Sequence, residues 1–197
     1  MKQQERRQQS FQSLLEATKE LIREKSCQAI TMQDIMERSG MSKGAIFHYV
    51  GSKDEIFALV LQERLEETNA RFNAAVDPSN SRFDGPMLRL AERFASFGNP
   101  EDVTNKVLSY LLGKEDQPIV AAALKRYYES SYHYSKEWIT TGQRHGVIPS
   151  SVNAEEVADM FMILSLGLRV RASIPGVSGA FDAERFTALV ADILQAR

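Results

Sequence analysis

One cysteine, one tryptophan, three histidines and six prolines in 197 residues exclude several kinds of protein at the outset. A lone Cys27 cannot close an intramolecular disulfide, so the chain is not a disulfide scaffold and suits a reducing compartment. The histidines, His48, His133 and His145, are scattered without the spacing of metal ligands. There is no phosphate-binding glycine loop, no nucleophile elbow and no dinucleotide fingerprint. The expectation is therefore no enzyme, no cofactor and no bound metal. The longest nearly apolar run, Met160 to Leu168, is too short to span a bilayer. The opening, Met1 to Arg7, lacks the apolar core of a signal peptide. Together these predict a soluble cytoplasmic protein with no membrane partner. The net charge of −2 excludes a molecule that binds polyanions with its whole surface, so any nucleic-acid face must be local.

What is present is helical periodicity, with no sustained two-residue alternation and no internal repeat. The fold class is all-α, with about nine helices. Phe11, Leu14, Leu15, Thr18, Leu21 and Ile22 share one face of a first helix over roughly Glu5 to Lys25. Thr31 with Asp34 forms a capping box that opens a second helix, which stops near Gly40. A third runs from Ser42 to about Val50. Ser52 with Glu55 caps a fourth, reaching about Val76 before Asp77-Pro78. Further helices are expected from Gly85 to about Phe97, from Asn99-Pro100 to about Leu112, and from Pro118 to about Gly142. Asn153 with Glu156 caps an apolar helix to about Arg171, and Asp182 starts the last. This predicts a three-helix head at residues 1–53 and a larger helical domain at 54–197.

The second and third helices have the makings of a helix-turn-helix. Ile35, Met36, Ile46 and Val50 supply inward faces, Gly40 suits the reversal, and Met41 plugs the turn. Lys43, Gly44, Ala45, Phe47 and His48 are left outside, with Tyr49 at the margin. From Arg38 to Lys53 there is no acidic residue, while Arg38, Lys43 and Lys53 are cationic, which fits a surface facing phosphates. Thr31, Tyr49 and Lys53 are then candidate phosphate contacts, which position without specifying sequence. Lys43 is a candidate for a guanine edge or a phosphate, Ala45, Gln33 and His48 are candidate readers of base edges, Ser42 lies at the capped helix start, and Gly44 permits close approach.

The stretch from Thr31 to Phe57 closely resembles the DNA-binding head of the TetR (tetracycline repressor-like) family. Thr31, Ile35, Gly40, Ser42, Lys43, Gly44, His48, Tyr49, Ser52, Lys53 and Glu55 stand at matching positions. Met36, Ser39, Ala45, Phe47 and Val50 depart from the usual residues, and Ser26-Cys27 replaces a usual glycine-aromatic pair. A positive φ at Ser26 would cost about 1 kcal/mol. Cys27 reads as a small buried apolar residue, with redox sensing as the weaker alternative.

Beyond the head, a long helix carries Val120, Leu124, Tyr127, Ser131, Tyr134 and Trp138 on one stripe and Tyr128, Tyr132, Ser135 and Ile139 on another. These aromatics serve equally as core or as pocket wall. The resemblance implies an inducer pocket in this region. Phe94, Tyr110, Tyr127, Tyr128, Ser131 and Trp138 are the candidate lining, for a small apolar or aromatic inducer. Val157, Phe161, Leu164 and Leu168, with Phe186, Leu189 and Ile193, are the candidate dimer interface, while Met160, Ile163, Gly167 and Val170 line a second face. The resemblance implies a four-helix bundle between two copies. The resulting expectation is a homodimeric, ligand-responsive transcription regulator, a repressor, binding a palindromic double-stranded DNA operator. A helical ligand-binding module with a vestigial head is the alternative.

Overall fold

The computed structural model describes residues 2–76 and 84–195. Among them are nine α-helices and no strand: α1 (Lys2–Glu24), α2 (Met32–Ser39), α3 (Lys43–Phe47), α4 (Lys53–Ala75), α5 (Asp84–Ala95), α6 (Val103–Leu112), α7 (Pro118–Arg144), α8 (Ala154–Ala172) and α9 (Ala183–Gln195). The all-α expectation is met. The expected stop at Asp77-Pro78 lies outside the described residues. None of the described helices is long and apolar enough to cross a membrane.

Local capping sets most helix starts. The Asp34 amide donates to Thr31 Oγ1 at 3.1 Å, and the Thr31 amide donates to Asp34 Oδ2 at 2.7 Å. The Ala45 amide donates to Ser42 Oγ, and the Glu55 amide to Ser52 Oγ. The Asn153 side chain accepts from the amides of Glu155 and Glu156. Two boundaries differ from expectation. Helix α3 has only five residues, because the chain tightens into a turn after Phe47 and the Tyr49 amide bonds back to the Ile46 carbonyl. Helix α6 starts at Val103 rather than at Asn99-Pro100, because the Asp102 carboxylate caps the amides of Thr104 and Asn105.

The chain forms two compact units. The first comprises residues up to 63 together with 101–125. Its interior holds Leu14, Ile22, Ile30, Ile35, Ile46, Ile56, Phe57 and Val60, none of them measurably exposed. Lys19 is buried among them, its ammonium paired with Glu16 at 2.7 Å and Glu63 at 2.9 Å. That burial was not legible in the periodicity of α1. The second unit comprises residues 64–100 and 126 onward. Its core is aromatic: Phe72, Phe94, Phe97, Trp138, Phe161 and Phe186 pack with Leu168, Val190 and Leu194. Phe186 stands edge-on to Phe94 at 5.0 Å, a favoured geometry for such pairs.

Candidate functional site

Helices α2 and α3 are joined through Gly40, whose φ of 67° is left-handed and so suits glycine. Ile35, Ile46 and Val50 point inward and are buried. Thr31, Gln33, Ser42, Lys43, Gly44, Ala45 and His48 are exposed, and Tyr49 is half-buried. A Cβ added at Gly44 would meet nothing within 4 Å, so the surface there is open. Tyr49 is fixed at the margin by Phe11, with ring centroids 5.5 Å apart, and its hydroxyl donates to the Arg7 carbonyl at 3.1 Å. The Lys43 ammonium lies 5.6 Å from the centre of the Phe47 ring. Gln33 donates its side-chain amide to Glu37 at 2.8 Å.

The cationic window read from the sequence is thinner in space. Arg38 forks onto Glu24 with contacts of 2.8 and 2.7 Å and reaches Glu20 at 3.3 Å, so α1 supplies the carboxylates that the local sequence lacks. These hydrogen bonds raise the guanidinium pKa further. Lys53 is engaged within the head as well. Its ammonium donates to the carbonyls of Ile30 at 2.6 Å, Cys27 at 3.3 Å and Gln28 at 3.4 Å. Those carbonyls, in the turn after α1, need donors. The side chain is thereby held inward, and burial pulls its pKa below the ordinary lysine value. The ammonium thus clamps the turn between α1 and α2. Asp34 sits at about 2, chiefly through Lys25, which bonds its carboxylate at 2.8 Å, and then through the Thr31 cap.

No non-glycine residue among those described has positive φ, so the strain considered at Ser26 does not arise. Cys27 is buried, and desolvation pushes its thiol up to about 11, which leaves almost no thiolate near neutrality.

The second unit holds a partly open cavity of about 60 Å³. Phe94, Tyr127, Ser131 and Trp138 line it, together with Leu65, Phe72, Phe97, Phe161, Phe186, Arg93 and Arg169. Trp138 is oriented by its indole N–H, which donates to Asn69 at 2.8 Å. Two expected lining residues are elsewhere. The Tyr110 hydroxyl, in the first unit, donates to Asp54 at 2.7 Å, and Lys114 bonds both. The Tyr128 hydroxyl donates to Asp159 at 2.8 Å. Both tyrosines have found carboxylates, as a partly buried phenol does when one is in reach. Sequence reasoning missed both arginines. The available signal was a four-residue step along α8, Phe161, Ser165 and Arg169, which puts a charged residue on an apolar face.

Phe161, Leu168 and Phe186, expected at an interface between copies, are instead buried in the second unit's own core. Val157, Leu164, Leu189 and Ile193 are partly covered. The open apolar face of α8 carries Ile163, 60% exposed, and Val170, 43% exposed, with Gly167 exposed between them.

Residues 14–60 match the sequence profile of the tetR family of bacterial regulatory proteins. Over 54 residues the chain is 35% identical to an uncharacterized HTH-type transcriptional regulator, YfiR, of Bacillus subtilis (strain 168). That match spans about a quarter of each protein, 27% of this chain and 26% of the relative. Likeness to solved structures extends over nearly the whole length. A TetR transcription regulator from Haloarcula marismortui superposes with a TM-score of 0.68 at 19% identity, covering 96% of this chain and 98% of its own. The reduced form of Escherichia coli NemR gives 0.67 at 16% identity, covering 94% and 97%. A complex of SmeT with triclosan gives 0.65 at 16% identity, covering 95% and 90%. At such identities the likeness is one of fold.

Proposed function

We propose that the chain is a tetR-family transcriptional regulator that acts in the cytoplasm as a homodimeric, non-enzymatic repressor of a palindromic operator, released by a small ligand, a reading supported by the match of its head to that family's profile. The observation that carries the reading is the outer face of α3. Lys43, Gly44, Ala45 and His48 are all exposed, and Gly44 leaves open space. In the functional division we propose, residues 1–53 bind DNA and residues 54–197 bind ligand and the second copy.

With α3 in the major groove, Gly44 and Ala45 let the helix lie close to the bases, and Ala45 can meet a thymine methyl. Lys43 serves a guanine edge or a phosphate, and His48 and Gln33 serve base edges. Thr31, Ser42 and Tyr49 serve the backbone, while Lys53 positions the head from within. Two copies pair through α8 and α9. The exposed Ile163 and Val170 support that surface, with the small Gly167 allowing close approach and Val157, Leu164, Leu189 and Ile193 at its edge. The aromatic cavity is the ligand site, a reading supported by the triclosan complex of the SmeT neighbour. A ligand releases DNA only to the extent that it favours the conformation that binds DNA poorly.

The test is a fluorescence-anisotropy titration of the full chain on the DNA upstream of its own gene and on a shuffled duplex of equal length. The upstream DNA is expected to bind about a thousandfold or more tighter, with two protomers per site. Equal affinity for both duplexes would favour the vestigial-head reading.

A further inference from the structure

Hydroxyls inside the helices of this chain often turn their protons back onto the preceding turn. Thr18 donates to the Leu14 carbonyl at 2.8 Å, Ser39 to the Ile35 carbonyl at 2.7 Å, and Thr187 to the Ala183 carbonyl at 2.8 Å. Ser131, in the middle of α7, does not. It is 6% exposed, it lines the cavity of the second unit, and its hydroxyl has no hydrogen-bond partner in the protein.

The other polar groups on that wall are engaged. Thr68 donates its hydroxyl to the Arg64 carbonyl at 2.8 Å, and Ser165 donates to the Met162 carbonyl at 3.0 Å. The Trp138 indole N–H is spent on Asn69. Arg93 donates to Ser96 Oγ at 3.0 Å, and the Arg169 guanidinium lies 4.0 Å from the centre of the Phe97 ring. Ser131 keeps a proton to give, on a wall made otherwise largely of aromatic rings such as Phe72, Phe94, Phe161 and Phe186.

A buried hydroxyl left unmatched is costly, and a hydrogen bond made in such low-dielectric surroundings is strong. A ligand oxygen that accepts from Ser131 supplies the missing bond. A hydrocarbon fills the same space and leaves it unmade. An ion would leave water for a mostly apolar wall, which is far more costly than moving a neutral molecule there.

Resting on the reading of this cavity as the ligand site, we propose that Ser131 is its specificity-determining donor. The ligand is a small, neutral, mainly apolar molecule whose one ether, carbonyl or hydroxyl oxygen accepts from the Ser131 hydroxyl. The cavity, at about 60 Å³, has room for a few waters and so favours a single ring over a fused ring system.

Trp138 is the only tryptophan of the chain and lines the cavity, so its emission, excited at the red edge where one-ring probes do not absorb, reports occupancy. Ethylbenzene, anisole and benzyl alcohol are equal in non-hydrogen atoms. The first has no polar atom, the second only an acceptor, and the third a hydroxyl. The full chain and its Ser131→Ala variant are titrated with each, with calorimetry alongside and benzoate as the charged probe. On Ser131→Ala, anisole and benzyl alcohol are expected to lose about fivefold in affinity, the worth of one net hydrogen bond, while ethylbenzene binds as before or tighter. The variant is expected to melt no lower than the parent, because the lost hydroxyl has no partner in the fold.

Ethylbenzene losing as much as anisole, or anisole losing nothing, overturns the donor role of Ser131 and leaves the ligand cavity standing. A variant that melts several degrees lower, or does not fold, shows the hydroxyl at work within the fold and overturns that role as well. Benzoate binding the parent more tightly than anisole overturns the neutral class. No heat and no Trp138 response with any of the probes overturns the ligand-site reading itself.

Discussion

Replacing Gly44 by alanine separates folding from DNA binding in opposite directions. Gly44 is the second residue of α3, its φ is not in the left-handed region, and a Cβ there meets nothing within 4 Å. The folded chain therefore accepts the methyl without strain. Glycine is less favourable than alanine in a helix by about 0.8–1 kcal/mol, and it has more freedom to lose from the unfolded chain. In so short a helix the expected gain is about 0.5 kcal/mol, or roughly 1–2 °C in Tm. On DNA the same methyl occupies the space through which α3 approaches the bases. Inserting a methyl into a tight contact costs about 1–3 kcal/mol, which lowers operator affinity by roughly 5- to 150-fold. The assays are a thermal melt by circular dichroism and an anisotropy titration on upstream DNA at one fixed salt concentration. A variant that melts no lower than the parent and binds DNA equally well would refute the close approach of α3. A variant that melts several degrees lower would refute the open surroundings of Gly44.

Other outcomes follow from the same geometry. Lys43→Ala, which removes an exposed cation from α3, should weaken binding to every duplex and reduce the slope of log affinity against log salt by about 0.9 if the ammonium meets a phosphate. An unchanged slope with relaxed preference at one base pair would assign Lys43 to a base edge instead. Lys53→Met removes a donor shared by three carbonyls while keeping much of the aliphatic stem. Water can reach part of that site, so a loss of about 1–2 kcal/mol in unfolding free energy is expected, with no change in the salt slope of DNA binding. A lower slope with unchanged stability would support the phosphate role. Cys27 should resist iodoacetamide in the native chain at pH 7 and react only after denaturation. Its folded value, about 11, lies above the ordinary 9.0, so between those values the unfolded chain has lost a proton that the folded chain retains. Stability from this group is therefore full below about pH 9 and falls by up to about 2–3 kcal/mol as the pH rises toward 11. A Cys27→Ala chain with the same alkaline profile would refute that assignment.

The cavity and the apolar helices show how far one-dimensional pattern carries. Stripes on α7 marked Tyr127, Ser131 and Trp138, because residues on one helical face stay on one face after folding. They did not separate those residues from Tyr128 and Tyr110, since each of the latter turns to a carboxylate on another element, Asp159 and Asp54. On α8 two apolar faces were legible, but not which of them turns inward. Packing against α9 and the aromatic cluster buried the Phe161 and Leu168 face and left the Ile163 and Val170 face open.

What the amino-acid order settled alone is whatever closes within about one helical turn. Thr31 with Asp34, Ser42 with Ala45, and Ser52 with Glu55 lie three residues apart, and the reversal at Gly40 depends on one backbone conformation. Hydrogen bonds of that reach need no tertiary partner, so the helix-turn-helix could be read directly. Tertiary structure decided where the long charged side chains end. Arg38 meets Glu24 from fourteen positions earlier, and Lys53 meets the Ile30 carbonyl from twenty-three positions earlier. A flexible cationic stem takes the acceptors that folding brings within reach, and its neighbours in the chain do not reveal them.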